Sequence, residues 1–92
     1  MSSPRPDINE IKEIVESETK LEWFIKKDEP DVLSLYASKY KLDIVWGGKN
    51  WTFEFYDFES EFGEEEPKSA QGPMYDAEEI KKELPSFIRG CV

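Results

Sequence analysis

Apolar residues first fall into a rhythm after Asp7. Ile8, Ile11, Ile14 and Val15 recur at helical spacing, and Glu10 stands three residues after Asp7, as a capping box requires. Glu16, Glu18 and Glu22 fill the polar side. This predicts a helix from Ile8. Ser17 to Lys20 is a polar gap, after which LEWFIKK reads either as more helix or as a short strand; the spacing favours a helix continuing through Trp23–Ile25. Pro30 sets the next boundary. It suits the first turn of a second helix, with Asp28 or Glu29 near the cap. Val32, Leu33, Leu35, Tyr36 and Tyr40 would form its apolar stripe, fading near Lys41.

The pattern then changes period. Leu42 to Trp46 is rich in branched and aromatic residues, Gly47 to Asn50 forms a turn, and the chain returns through Trp51 to Phe58. This predicts a β-hairpin with strands at about 42–46 and 51–58. Residues 59–75, ESEFGEEEPKSAQGPMY, read as a long acidic loop. A last helix starts at Asp76, boxed by Glu79, with Ala77, Ile80 and Leu84 inward. Pro85 ends or kinks it, Phe87 and Ile88 fold back onto the core, and Gly90 releases the chain. The organisation expected is a flexible N-terminal tail over 1–6, one domain over 7–90, and a C-terminal end at 91–92. A lone hairpin is marginal in water, so its apolar face must pack on the helices. The fold class is α+β, a small single domain with an antiparallel β-hairpin on two or three helices. The edges of so small a sheet are open to a partner's strand or to a second copy.

The second strand carries the main functional signal. Trp51, Phe53 and Phe55 share one face, and Thr52, Glu54 and Tyr56 share the other. Asp57 then falls where an aromatic is due, while Tyr56 and Phe58 are out of phase with the core. A bulge, a strand end covered on both faces, or exposed aromatics would each account for this. Residues 54–66 hold seven acids and no base, namely Glu54, Asp57, Glu59, Glu61, Glu64, Glu65 and Glu66. Most of the net charge of −9 therefore sits on thirteen residues rather than forming a general solubility coat. Crowded acids repel one another at a cost to stability, and acids beside aromatics suit a basic partner surface. The plainer alternative is a solvated loop next to a few core aromatics.

Composition removes several classes of function. The 92 residues make one domain with a modest core. The negative charge disfavours nucleic acid and anionic membranes, and the lysines form no basic stripe. The start, MSSPRPDINE, has no apolar signal region, and no apolar run is long enough to span a bilayer. One cysteine, Cys91, excludes an internal disulfide and points to a reducing cytoplasm; near the end of the chain and without histidine to activate it, it reads as an idle thiol. With no histidine there is no histidine triad or histidine metal site. Gly47–Gly48 lacks the spacing of a phosphate loop. Asp57, Glu59 and Glu61 copy the start of a calcium loop, but Gly63 is one residue late and Lys68 stands where the bidentate glutamate belongs. No cofactor and no catalytic set is expected.

The expectation is a non-enzymatic, acidic protein-binding module. Glu54, Asp57, Glu59, Glu61, Glu64, Glu65 and Glu66 would supply charge, and Tyr56, Phe58 and Phe62 would supply anchors, against a basic surface of another protein. A concrete version is an inhibitor that mimics DNA, its carboxylates standing where phosphates would stand on a nucleic-acid-binding partner. Small acidic inhibitors recur in phages and mobile elements, an analogy of composition alone. The alternative is a structural accessory subunit or homodimer whose interface is the hairpin edge and its aromatics.

Overall fold

Asp7 caps the first helix, α1 (Ile8–Thr19), by accepting a bond from Asn9 N at 2.8 Å. Glu10 does not close the box; it reaches across to Lys81 Nζ at 3.0 Å. The helix stops well before Trp23, which corrects the expected continuation. Lys20 takes a left-handed conformation and bonds Glu16 O, while Thr19 Oγ1 accepts from Leu21 N and from Trp23 Nε1. Glu16 Oε2 accepts from Trp23 N at 3.0 Å. Side chains of the last helical turn thus take up the backbone that leaves it and lock Trp23 into the core.

The structure is a computed structural model describing residues 5–61 and 63–91. After α1 come β1 (Phe24–Glu29), β2 (Val32–Ala37), β3 (Tyr40–Trp46), β4 (Trp51–Asp57), β5 (Ser69–Met74) and α2 (Ala77–Cys91). The strands form one antiparallel sheet in sequence order. The α+β class stands, with two helices and a five-stranded sheet in place of a lone hairpin.

The expected second helix is strand β2. Its residues alternate: Leu33, Leu35 and Ala37 point into the core, while Val32 and Tyr36 stay half-buried on the other side. Because those two are also apolar, the segment mimics a helical stripe; short apolar runs carry this ambiguity. Two-residue connections at Pro30–Asp31 and Ser38–Lys39 bracket it, with Ser38 at φ 53°. The β3–β4 hairpin has the expected turn, closed by Gly47 N on Asn50 O at 2.8 Å and by Gly48 at φ 96°. The expected long loop is shorter than 59–75, because Ser69–Met74 pairs with β4. Pro73 has no N–H to give a ladder and lies on this edge strand, where proline is tolerated.

Asp76 and Glu79 form the second cap: Glu79 N donates to Asp76 Oδ1 at 2.8 Å and Tyr75 N donates to Glu79 Oε1 at 2.7 Å. Pro85 does not end the helix, which runs on to Cys91. Leu84, Phe87, Ile88 and Cys91 are all buried, and that apolar face holds the helix together across the missing hydrogen bond. Cys91 and Gly90 are helical rather than part of a loose end. Pro6, assigned to the flexible tail, is buried, and Arg5 is paired with Asp28 and donates to Glu29 O. The rest of that tail, 1–4, lies outside the described residues.

The register sets the layers. Leu33, Ile44 and Phe53 are cross-strand neighbours, as are Leu35, Leu42 and Phe55. They join Ile8, Ile11, Val15, Ile80, Leu84 and Ile88 in one core, and Phe53 meets Phe87 at 5.1 Å between ring centroids. Both helices therefore cover the same face of the sheet.

Candidate partner-binding face

Among the described residues no helix covers the other face of the sheet. Its side chains follow from the same register, one residue out of step with the core. Phe24, Tyr36, Lys41 and Tyr56 make one row across β1–β4, and Ser34, Asp43, Glu54 and Ala70 make the next, across β2–β5. Val32, Val45 and Thr52 make a third, across β2–β4. Phe24 is 59% exposed, and Tyr36, Lys41, Asp43, Glu54 and Tyr56 are half-buried.

The out-of-phase aromatics are explained here without a bulge between β3 and β4, whose pairing is continuous from Tyr40/Asp57 to Trp46/Trp51. Tyr56 and Phe58 lie on the uncovered face, and Phe58 packs edge-on against Tyr36 at 5.9 Å. Asp57 keeps the core-side phase and is 8% exposed. Its Oδ1 accepts from Glu59 N at 3.0 Å and its Oδ2 lies 3.7 Å from Lys68 Nζ, so it folds the start of the acidic connection instead of facing outward.

The expected acidic surface thus divides. Asp57 is structural. Glu59 pairs with Lys39 at 3.7 Å. Glu54 stands in the middle of the uncovered face, directly across from Asp43. Glu61, Glu64, Glu65 and Glu66 are exposed on the connection between β4 and β5 and, among the described residues, enter no ion pair. Phe62, expected as an anchor, lies outside the described residues.

Position-by-position reading of 51–66 missed the partners that β2 and β3 bring to the face. Asp43 accepts from Ser34 Oγ at 2.6 Å and lies 3.5 Å from Lys41 Nζ. Lys41 sits over the Tyr56 ring at 4.2 Å, and Lys26 over the Tyr36 ring at 4.6 Å. The signal was present in the alternation of Lys41 and Asp43 with Leu42 and Ile44, and it became readable once β2 was a strand. Burial, then the negative charges of Glu54 and Asp43, push the Tyr56 phenol above its ordinary pKa. The Lys26 pKa is raised, chiefly by the Tyr36 side chain beside it and against the opposing effect of burial, with smaller help from the negative charges of Glu64 and Asp43.

Elsewhere the chemistry is sparse. Among the described residues no group of three or more potential ligand side chains is placed to hold a metal, and no helix is long and apolar enough to cross a membrane. Burial pushes the Cys91 thiol up, away from the reactive thiolate. Shallow surface grooves lie among the described residues. One, between α1 and α2, is lined by Glu13, Ile14, Ser17, Glu18 and Pro85; another, along β5, includes Asn50, Thr52 and Pro73. Compared with protein-family models, with curated proteins and with solved structures, the chain matches none.

Proposed function

We propose that this chain is a non-enzymatic protein-binding module that docks its uncovered sheet face, with the acidic connection at its border, on a basic surface of another protein. One observation carries the reading. The face left bare by both helices bears aromatic rings set among charges, and four exposed glutamates, in no ion pair among the described residues, follow the strand that holds Tyr56. Half-exposed rings supply contact area at low entropic cost, and unpaired charge at the border steers approach of an opposite surface. The inhibitor version, in which carboxylates take the place of phosphates on a nucleic-acid-binding partner, is the specific form of this proposal. It would act in the cytoplasm, as the single cysteine led us to expect.

A second reading, an accessory subunit or homodimer, draws support from β1. All six of its residues are exposed, and Phe24 and Ile25 are 59% and 42% exposed beside an open sheet edge. Salt separates the two. Capture from a cell lysate at low and moderate salt is compared for the wild type and for the variant with Glu64, Glu65 and Glu66 changed to Gln. Retention of a basic, nucleic-acid-binding protein that is lost in the variant or with salt supports docking through charge. Retention unchanged by both, or recovery of only the chain's own copies, favours the second reading.

A further inference from the structure

We propose that the centre of the uncovered face is a seat for an arginine side chain of the partner, and that Lys41 is the resident cation holding that seat in the free protein. The inference rests on the docking reading and names the group that the face grips. Lys41 Nζ lies 4.2 Å from the Tyr56 ring centroid and 3.5 Å from Asp43 Oδ2. Its side chain is only 21% exposed. A ring and a carboxylate thus already hold an ammonium group, and the ring–cation contact recurs where Lys26 lies over Tyr36. The chain's own lysines display the chemistry that the face accepts.

The resident cation does not balance the site. Glu54 is directly opposite Asp43, and like charges in that relation oppose each other. Lys41 pairs with Asp43, whereas among the described residues Glu54 enters no ion pair. The cation served by the ring pairs with Asp43 and leaves Glu54 without an ion pair among the described residues, so a further cation placed against Glu54 is the complement. A guanidinium fits better than another ammonium, because it is planar, stacks on a ring, and donates to carboxylates through a fixed fork.

The test uses the full chain and a defined probe. N-acetyl-arginine amide and N-acetyl-lysine amide are titrated into the wild type, Lys41→Met, and the double variant Lys41→Met with Glu54→Gln, with NMR signals of the backbone and tyrosine rings as readout. The expected result is that the arginine probe shifts Asp43, Glu54 and Tyr56. Lys41→Met should bind it about two- to five-fold tighter, the size of one exposed cation–ring contact, and Glu54→Gln should erase the gain. If Lys41→Met does not fold, Lys41→Gln serves in its place. A folded Lys41 variant with no gain, or shifts confined to residues 61–66, overturns the seat. Because this titration needs no partner, failure of the seat is separable from failure of docking, which the capture experiment reads.

Discussion

Leu42 and Lys41 are neighbours on one strand, yet they belong to different regimes. On the helix side, Leu35, Leu42 and Phe55 form a row that is fully buried. On the other side, Tyr36, Lys41 and Tyr56 form the adjacent row, half-buried, with the Lys41 ammonium over the Tyr56 ring. The first row is what a sheet needs in order to fold. The second exceeds that need, since short polar or β-branched residues such as Thr52 would serve a solvated face as well. The contrast separates residues that hold the fold from residues available to meet something else.

The sharpest way to break the comparison is to cut one residue on each face. Phe53→Ala, in the core against Phe87, should cost about 3–5 kcal/mol in urea unfolding. Val45→Thr on the uncovered face should stay within about 1 kcal/mol. Equal losses would mean that the second face is covered in solution. Next in size is Asp57→Ala. Removing the acceptor of Glu59 N and the partner of Lys68 should cost about 1–2 kcal/mol, although the change lowers net negative charge. The cap variant Asp76→Ala should cost about 1 kcal/mol by the same measurement.

Glu64, Glu65 and Glu66 changed together to Gln should leave stability within about 0.5 kcal/mol or raise it, since these exposed side chains enter no ion pair among the described residues. The smallest effect is electrostatic. Tyr56 has a raised pKa, so the folded state keeps the phenol proton more tightly than the unfolded chain. Its contribution to stability is complete below the ordinary tyrosine pKa and drains away as pH rises through the folded value. Following tyrosinate absorbance, Glu54→Gln should bring the Tyr56 titration down toward its ordinary value; an unchanged titration would leave burial and Asp43 as the causes.

Legibility in the sequence followed the same division. The β3–β4 hairpin was readable because Gly47–Gly48 interrupts two runs of opposite-facing residues, and α1 was readable in Ile8, Ile11 and Val15. The Asp76–Glu79 cap announced α2. β2 was hidden because Val32 and Tyr36, on its outer side, are as apolar as its inner residues. β5 was hidden because SAQGPM has almost no apolar alternation; its pairing with β4 fixes it. Pro85 read as a helix end or kink because local sequence cannot report that Leu84, Phe87 and Ile88 are buried together. Of the candidate surface, the acids of 54–66 were legible as charge. The division of labour among them was not, because it depends on which side chains β2 and β3 bring alongside.

The central claim is that the uncovered face meets the partner, and hydroxyl-radical footprinting of the captured complex tests it most directly. Tyr75, 60% exposed beside the start of α2, serves as an internal control. The account predicts that Tyr36, Tyr56 and Phe58 lose reactivity in the complex while Tyr75 keeps its own. Protection of Tyr75 and of the outer sides of α1 and α2, with Tyr56 unchanged, would contradict it.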